Sequence, residues 1–478
     1  MSFYQTPSQP ATFADAFAPF VQAEGLPFAE VLPADDIQKV FDDEGVSFGT
    51  SPKALFTPSL IIWAFLSQVL GKESCRATMF RVLTLSIALG RGPCSTDTAA
   101  YCRARAKLPA KILQRLTLQV GRQLEEAVPV DWLWKGKHVQ LLDGFTVTLP
   151  DTPENQEAYP QPKSQKPGLG FPMIRMVVVI ALVTATIQGM AFGPYQGKET
   201  GEPALFRQLL DDVPKGTVLL ADRYFCSYFM VALALKRGID VVFRLHQKRK
   251  VDFRRGERLG RNDHVVVWFK PARPKWMDAE TYAAMPATLR VREVRTVIDQ
   301  PGFRIKKLVV MTTLTDATEY ASEELTDLYH ERWHVELDIR SLKQYMGMDQ
   351  LRCKTPFMVE KEIWTHLLGY NLVRKVGAQA AWEKGLSPRQ ISFTATVQAV
   401  LGGWDDQTKG TKEERLALGQ ALLQALGKEE VGDRPNRCEP REVKRRPKPY
   451  PRLKKPRAEA KAKLLARKNR DAKRESLS

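Results

Sequence analysis

Residues 138 to 245 carry the pattern that most limits the fold of this chain. Five strand-like runs rich in Val, Ile and Leu occur there, and helical patterns separate the last three of them. The order is three strands, a helix, a strand, a helix and a strand, which is typical of a mixed α/β sheet. The predicted strands are 138–149, 173–184, 187–193, 217–221 and 240–245, and the predicted helices are 202–213 and 224–237.

Basic, β-rich sequence at about 247–307 interrupts this order, and a predicted strand at 308–314 and a long predicted helix at 322–346 resume it. We therefore predict an α/β core with a β-rich insertion. Because 478 residues exceed what one hydrophobic core usually holds, two or more folding units are expected. The predicted regions are helical 1–130, the core 131–375, helical 376–432 and a basic tail 433–478.

Positive charge is concentrated in the predicted tail. The whole chain has 72 Lys and Arg against 54 Asp and Glu, and residues 433–478 contain 18 Lys and Arg against 6 Asp and Glu. With little to bury, this tail is predicted to be disordered, or helical only when bound. Its cations would displace counterions from phosphates, so we expect nucleic acid or an anionic membrane as partner. A solvated tail with no specific role is the alternative.

Membrane insertion and export are both disfavoured. The longest apolar stretch, 176–187, has 12 residues, whereas a membrane-spanning helix needs about 20. The N-terminus lacks the features of a signal peptide, and the six cysteines are scattered without a C-x-x-C pair. Free thiols in a reducing compartment are expected, which places the protein inside the cell.

Asp143 is the first candidate site residue. Alternate positions from 139 to 149 form an apolar row on one face of the first predicted strand, and Asp143 stands where another apolar residue is expected. A carboxylate on a buried face costs free energy unless it is compensated, most naturally by a metal ion. The alternative is a plain Asp-Gly turn between two short strands.

Asp222 is the second candidate. It directly follows the apolar run 218–221 and precedes a helical pattern. Open α/β sheets bind ligands at the carboxyl ends of their strands, which is where this Asp is predicted to lie. A helix N-cap is the alternative, since Asp is common there. Asp211 and Asp212 are predicted at an exposed helix end and are poorer candidates.

The long predicted helix at 322–346 carries a polar stripe beside its apolar stripe. The polar stripe consists of Tyr329, Arg332, Glu336, Lys343 and, close by, Arg340. The apolar stripe consists of Leu328, Val335, Ile339 and Leu342. The face predicted to point away from the core carries Glu331, His334, Asp338 and Ser341. Glu336 is the acid bordering the core side, although an ordinary amphipathic helix would look similar.

A zinc protease pattern overlaps this helix. His330, Glu331 and His334 satisfy H-E-x-x-H, in which two histidines one turn apart bind zinc and the glutamate acts as base. Glu360 or Glu362 could be a third ligand. Because both histidines lie opposite the apolar stripe and the pattern is short, a metalloprotease is the weaker hypothesis.

Two aspartates and a glutamate on neighbouring α/β elements are what two-metal phosphoryl chemistry requires. Hard carboxylate oxygens hold two Mg²⁺ or Mn²⁺ ions roughly 3.5–4 Å apart, one activating water or a 3′-hydroxyl and one stabilising the leaving oxygen. In a strongly basic chain this predicts an enzyme that cuts or joins DNA or RNA.

The motifs around these residues are similar to those of a known family. The spacing Y-x2-R-x3-E-x6-K is met at 329, 332, 336 and 343, and the segments LLDGFTVTLPDTPENQEAYPQP and LLADRYFCSY contain the two aspartates. QVLGKESCRAT and AYCRARAKLP upstream are also similar. Over roughly residues 40–400, the chain resembles the DDE transposases of insertion sequence family four, which have a ribonuclease-H-like core.

The resemblance implies a function and the residues that perform it. The implied metal-binding triad, with two Mg²⁺ or Mn²⁺ ions, is Asp143, Asp222 and Glu336. The implied contacts to transposon-end DNA are Tyr329, Arg332 and Lys343, and further candidates are Arg223 and Arg340. The implied reaction is cut-and-paste transposition: hydrolysis at the ends of the element frees 3′-hydroxyls, which then attack target DNA.

The resemblance also implies partners. These are double-stranded DNA, as terminal inverted repeats and target, and a second copy of the chain in a homodimer on the cytoplasmic nucleoid. The N-terminal helices are expected to recognise the ends, and helices after about 376 to contribute to pairing. Trp268 or Trp276 could stack a flipped base, although a core role fits a tryptophan better. A catalytically inert, domesticated DNA-binding protein is the alternative.

Overall fold

A nine-stranded mixed sheet forms the centre of the computed structural model, which describes residues 32–51, 54–88, 93–297, 307–403, 411–432 and 454–475. The strands are β1 (Val139–Thr148), β2 (Met173–Ala181), β3 (Ile187–Pro194), β4 (Val218–Ala221), β5 (Asp240–Arg244), β6 (Glu257–Gly260), β7 (Asp263–Phe269), β8 (Thr288–Val297) and β9 (Lys307–Thr312). Their spatial order is β3-β2-β1-β4-β5-β9-β8-β7-β6.

The first five strands confirm the predicted fold class. β1, β4 and β5 run parallel to one another, whereas β2 and β3 are antiparallel to their neighbours. The order β3-β2-β1-β4-β5 with these directions is that of a ribonuclease-H-like sheet. The sequence predicted all five strands, because each is a run of β-branched and apolar residues bounded by turns.

The β-rich insertion extends this sheet. β9 pairs antiparallel with β5 on one side and with β8 on the other, and β7 and β6 follow. The inserted strands therefore continue the hydrogen-bond ladder of the core.

Apolar side chains cover both faces of the sheet. Along β1, Leu141 belongs to one buried cluster and Leu142 to the other, as the alternation of side chains in a strand requires. Val178 and Val179 of β2 divide in the same way. The sheet is thus the middle layer of three, and its central strands are buried on both sides.

Fifteen helices lie in the described part of the chain. They are α1 (Ala34–Asp43), α2 (Pro58–Leu70), α3 (Cys75–Ala88), α4 (Thr98–Lys107), α5 (Ala110–Glu126), α6 (Pro153–Ala158), α7 (Glu202–Arg207), α8 (Tyr228–Lys236), α9 (Ala279–Ala283), α10 (Ser322–His330), α11 (Trp333–Arg340), α12 (Pro356–Trp382), α13 (Phe393–Gly403), α14 (Lys412–Leu426) and α15 (Arg457–Glu475). The longest, α12, has 27 residues, and α2, α5 and α13 pack against it.

The helices before the sheet share a core with the rest of the protein. A single buried cluster extends from Leu32 to Leu426 and includes residues of α2, α5, α12 and one face of the sheet. In the described part of the chain, the N-terminal helices therefore lack an apolar core of their own, which the prediction of separate folding units did not anticipate.

The long helix predicted at 322–346 is wrong in one respect, because it is broken twice. α10 ends at His330 and α11 begins at Trp333, and between them the amides of Arg332 and Val335 donate to carbonyls three residues earlier, at 3.1 Å each. After α11, Ser341–Tyr345 form a π-helical turn. Neither proline nor glycine marks these breaks, so they could not be predicted from breaker residues.

The basic tail, predicted to be disordered or helical only when bound, is described in part. Residues 433–453 lie outside the described residues, and Arg457–Glu475 form the helix α15. Among the described residues, no helix is both long enough and apolar enough to cross a membrane.

Candidate active site

Asp143 lies within the continuous strand β1. It pairs with Val178 of β2, and Gly144 pairs with Val177, so the alternative of an Asp-Gly turn is wrong. On the face that Asp143 shares, Leu141 and Phe145 are buried in the apolar cluster, whereas the Asp143 side chain is 21% exposed. The expected interruption of an apolar row by one acid is therefore present.

Asp222 lies one residue beyond the end of β4. Leu142 of β1 pairs with Ala221 of β4 in parallel, so the next residues of the two strands, Asp143 and Asp222, are adjacent. Asp222 does not cap a helix, because α8 begins at Tyr228 with Ser227 as its N-cap. Its Oδ1 instead accepts a hydrogen bond from the Tyr224 amide at 2.7 Å, which orients the carboxylate in a turn.

α11 brings Glu336 to the same place. Glu331 and Arg332, between α10 and α11, keep right-handed helical backbone angles, and α11 packs against β1. Arg332, in the break, donates from Nη2 to Glu336 Oε1 at 2.7 Å and from Nη1 to Asp143 Oδ2 at 3.4 Å. One guanidinium thus joins an acid of the sheet to the acid of the helix.

Tyr329 and Lys343 also border this site. Tyr329 is buried, and burial raises the pKa of its hydroxyl to about 12, with Arg332 and Arg244 opposing this shift and Asp222 adding to it. Lys343, in the π-helical turn, places its Nζ 6.0 Å from the centre of the Phe145 ring. The predicted stripe therefore converges on the two aspartates although its helix is discontinuous.

The two remaining candidate DNA contacts are Arg223 and Arg340. Arg223 donates from Nη1 to Gln247 Oε1 at 2.7 Å, at the start of the insertion. Arg340 is exposed at the end of α11. Arg223 is partly exposed and Arg340 is exposed.

The acids repel one another electrostatically. Burial raises the pKa of Asp143 to about 6, and the charges of Asp222 and Glu202 raise it further, against the Gly144 amide and the Arg332 guanidinium. A cluster of partly buried carboxylates at the edge of a sheet is destabilising unless cations compensate it. Arg332 supplies one positive charge in this structure.

The chemistry of these donors fits a divalent metal. Asp143, Asp222 and Glu336 offer hard carboxylate oxygens, which Mg²⁺ and Mn²⁺ prefer. In the described ranges, however, no three Asp, Glu, His or Cys side chains stand close enough together to share one ion. Arg332 contacts two of the three acids, so a metal shared by all three would require this guanidinium to move away.

The zinc protease pattern does not form a site. His330 ends α10 and His334 lies in α11, so the two histidines do not occupy one continuous helical turn. His334 Nε2 lies 2.9 Å from Glu331 Oε2, so the glutamate proposed as the base pairs with one of the proposed zinc ligands. Glu362 accepts bonds from the amides of Arg352 and Cys353. The geometry that zinc binding by this motif needs is absent from these described residues.

Both tryptophans considered for base stacking are engaged within the protein. Trp268 is 5% exposed, donates to Glu293 at 3.2 Å and has the Arg249 guanidinium 3.6 Å from its ring centre. Trp276 has Arg207 at 3.9 Å from its ring centre. The core interpretation of these residues fits their surroundings.

Glu202 and Arg175 border the site and were not predicted from the sequence. Glu202 begins α7, and Arg175 lies in β2. An acid in the first turn of a helix is common, and so is an arginine beside an apolar run. Neither residue could therefore be recognised as a site residue from the sequence. The packing of α7 on β2 and β3 brings Glu202 and Arg175 to the border of the site.

Replacing Asp143 with Asn is expected to stabilise the metal-free protein at neutral pH. Because the folded-state pKa of about 6 exceeds that of an unfolded Asp, wild-type stability falls as the pH rises from about 4 to about 6 and stays lowered above that. We expect Asp143→Asn to raise the free energy of unfolding by about 1–3 kcal/mol at pH 7.5 and to change it little at pH 4. Urea denaturation in EDTA at both pH values measures this.

The control for this experiment is Asp131→Asn, because Asp131 is exposed before β1. That variant should match the wild type at both pH values. An Asp143→Asn protein that gained no stability at pH 7.5 would contradict the electrostatic description of the site.

The comparisons with known proteins agree with this geometry. Residues 134–372 match the Transposase DDE domain family, a range that contains β1, β4 and α11. The transposase InsG for insertion sequence element IS4 of Escherichia coli K12 is 27% identical over 407 residues, covering 82% of this chain and 86% of InsG. The transposase for insertion sequence element IS421 of Escherichia coli is 34% identical over 65 residues, covering 14% and 18%.

A solved structure of the piggyBac transposase in a synaptic complex with hairpin DNA aligns with a TM-score of 0.42 and 11% identity, covering 86% of each chain. The family match spans half of the sequence and contains all three acids. The chain belongs to the DDE transposase family of the insertion sequence IS4 type.

Proposed function

We propose that this transposase cleaves DNA at the ends of its insertion sequence by metal-dependent phosphodiester hydrolysis and joins the freed 3′-hydroxyls to target DNA. The observation that carries the proposal is that Asp143 within β1 and Asp222 just after β4 are adjacent, and that Arg332 links Asp143 to Glu336 of α11. Cut-and-paste transposition of the element would result.

The three acids are the proposed metal ligands. Two Mg²⁺ or Mn²⁺ ions would supply Lewis acidity and an activated water or 3′-hydroxyl when bound. The chain contributes the positions: the sheet register fixes Asp143 beside Asp222, and the packing of α11 on β1 sets the approach of Glu336. A site built on strands and a helix keeps its geometry better than one built on loops.

Cations around the acids are the proposed DNA contacts. Arg332 pairs with two acids here, and its planar fork is equally suited to a phosphate. Tyr329 lies beside Arg332, Lys343 lies near Phe145 of β1, and Arg340 is exposed at the end of α11; these three are further proposed DNA contacts. Arg223 directly follows Asp222 in the chain, donates to Gln247 and is a further proposed DNA contact.

Exposed cations of the insertion and tail support a double-stranded DNA partner. In the insertion, Arg254 and Arg255 are 90% and 85% exposed ahead of β6. The helix α15 adds a second basic surface whose affinity for phosphates would fall with added salt. Pairing of two copies on nucleoid DNA, with end recognition by the N-terminal helices, completes the proposal.

The test is cleavage of a labelled duplex that carries the inverted repeats flanking the coding sequence. With Mg²⁺ or Mn²⁺ we expect cuts at the junction between element and flanking DNA, leaving 3′-hydroxyls that a ligase or polymerase can use. With EDTA, or with a scrambled repeat, we expect no cut.

Binding without cleavage would favour the alternative of an inert, domesticated DNA-binding protein. Cleavage that persists in EDTA would contradict the metal-dependent mechanism and leave the family assignment unchanged.

A further inference from the structure

Tyr224 lies in the turn that follows Asp222, and its side chain is largely exposed, with 64% of the residue accessible to solvent. Its backbone amide donates to Asp222 Oδ1 at 2.7 Å, so the residue is fixed beside one of the proposed metal ligands. Within the described ranges, its ring packs on no other ring or cation, and its hydroxyl makes no hydrogen bond. Single exposed aromatic residues are common on protein surfaces, so the position of this one carries the argument.

The turn that carries Tyr224 is anchored on both sides. The amide of Phe225 donates to the Asp222 carbonyl at 3.3 Å, and the amide of Ser227 donates to the Phe225 carbonyl at 2.9 Å. Phe225 is buried in one of the two apolar clusters that cover the sheet and packs edge to face on Phe206, with the ring centres 5.8 Å apart. The backbone that presents the Tyr224 ring is therefore held in a defined place relative to Asp222.

Other tyrosines near this turn have partners within the protein. Tyr228, in α8, is buried and donates to the Pro286 carbonyl at 2.6 Å. Tyr282, in the insertion, donates to the Pro271 carbonyl at 3.2 Å. A tyrosine that serves the fold is expected to bury its ring and to pair its hydroxyl. Tyr224 does neither among the described residues, so its ring is free to pack against a molecule bound at the acids.

A cut DNA end has one surface that suits an exposed aromatic ring. Along a duplex, each base pair is covered by its neighbours and offers only its edges to a protein. At a cut end, the last base pair has one uncovered face. Because the nucleotides of one strand are about 3.4 Å apart along the helix axis, an end whose 3′-hydroxyl lies at the acids places that face near Tyr224. Aromatic side chains stack on base faces with little dependence on sequence.

We propose that Tyr224 stacks on the terminal base of the cut element end and thereby holds the 3′-hydroxyl of that end at the acids. This inference rests on the proposed function, since it concerns the DNA that the same site would join to a target. Its consequence is that strand joining depends on the Tyr224 ring and on the terminal base together.

The test is the joining of a pre-cut duplex, which ends at the terminus of the element, to a supercoiled plasmid in Mg²⁺. The full chain is used below the concentration that saturates the duplex, so that losses of affinity and of placement both lower the rate. We expect Tyr224→Ala to slow joining about 5- to 100-fold, the loss typical when one stack of an aromatic ring on a base is removed. The hydrogen bond to Asp222 comes from the backbone and should persist, and circular dichroism checks the fold.

Tyr224→Phe is the conservative variant. Phenylalanine keeps the ring face and removes the hydroxyl, so this protein should join the pre-cut end within about twofold of the wild-type rate. A loss as large as that of Tyr224→Ala would show that the hydroxyl makes the important contact, and it would overturn the stacking inference.

Phe269→Ala is the matched control. Phe269, at the end of β7, is 77% exposed and lies four strands from β4, about 19 Å across the sheet. Its substitution should leave the joining rate within about twofold of the wild type. Equal losses in Phe269→Ala and Tyr224→Ala would reduce the effect to the removal of any exposed aromatic side chain and overturn the inference.

A duplex whose transferred strand ends in an abasic nucleotide distinguishes stacking from a structural role of Tyr224. This end keeps its 3′-hydroxyl and lacks the base, so the wild type should lose about as much on it as Tyr224→Ala loses on the intact end. On the abasic end, Tyr224→Ala should be slower than the wild type by less than about twofold. Two independent losses that multiply would show that residue 224 acts through the turn after β4 and would contradict the proposed contact.

The outcomes separate this inference from the proposed function. If the wild type joins the pre-cut end and Tyr224→Ala joins it equally fast, the inference fails and the proposed function stands. If the wild type joins no end with Mg²⁺ or Mn²⁺, the strand-joining step of the proposed function is refuted, and this inference with it.

Discussion

Replacing Asp222 with Asn is expected to reduce cleavage of element-end DNA at least about 1,000-fold while leaving the fold intact. The Asn amide oxygen can still accept the Tyr224 amide that Asp222 Oδ1 accepts at 2.7 Å, so the turn after β4 should persist. What the substitution removes is the negative charge beside Asp143. Single-turnover cleavage with Mg²⁺ measures the loss, and a mobility shift on the same duplex measures binding.

The same loss is expected for Asp143→Asn and Glu336→Gln, because the proposed chemistry uses the three acids as a unit. Asp212→Asn is the matched control. Asp212 is exposed after α7, away from the three acids, and its substitution should leave the cleavage rate within about twofold. Full activity in any of the three acid variants would refute the assignment of the site.

Histidine variants test the competing zinc hypothesis in the same assay. His330→Ala and His334→Ala should cleave DNA normally, since the two histidines lie on separate helices. A protein that needed the histidines and not the acids would reverse this interpretation.

Sequence patterns predicted the sheet and two of its acids for identifiable physical reasons. One face of β1 carries an apolar row with period two, so one acid in that row was visible as an exception. β4 is a short apolar run, so the acid that follows it had to lie at a strand end. The adjacency of Asp143 and Asp222 depends on the parallel pairing of β1 with β4, and the mixed α/β order only made that pairing plausible.

The helical part of the site was predicted less well, because a helical wheel assumes an unbroken helix. Tyr329, Arg332 and Glu336 do converge on the aspartates, but they do so across the break between α10 and α11. Arg332 was predicted as a DNA contact, and its pairing with Asp143 could not be anticipated across 189 residues of sequence. Glu202 was missed for a similar reason, since it lies in the helix α7 and its neighbour Gly144 lies in the strand β1.

Asp338 is the clearest residue for which the helical wheel predicted the wrong exposure. It was predicted to face away from the core, yet its side chain is 1% exposed, and Ser341 on the same face is buried as well. α12 and the segment Pro388–Gln390 cover this face and place two arginines on the carboxylate. The polar face of a helix is exposed to solvent only when no complementary polar surface packs against it.

Asp338 receives three hydrogen bonds from these arginines. Arg374 of α12 donates from Nη2 to Oδ1 at 2.7 Å, and Arg389 donates from Nη2 to Oδ2 at 2.9 Å and from Nη1 to Oδ1 at 3.2 Å. Arg389 also donates to the carbonyls of Ala181 and Leu182 at the end of β2. This ion-pair network therefore ties α11, two residues beyond Glu336, to α12 and to the sheet.

Asp338→Ala is expected to lower the free energy of unfolding by about 3–5 kcal/mol, because it leaves two largely buried guanidinium groups without their carboxylate. Cleavage should fall as well, since α11 loses the contacts that fix the position of Glu336. Urea denaturation measures the first effect. The matched control is Asp327→Ala on the exposed face of α10, which should change stability by less than about 0.5 kcal/mol.

A double-substitution cycle separates the network from simple loss of packing. Because Arg374 and Arg389 share one carboxylate, removing Arg374 after Asp338 should cost less than removing it from the wild type. We expect a coupling free energy of about 1–3 kcal/mol between Asp338→Ala and Arg374→Ala. Strictly additive losses would show that the two side chains act independently, and the position of Glu336 would then depend on the packing of α11 against β1 alone.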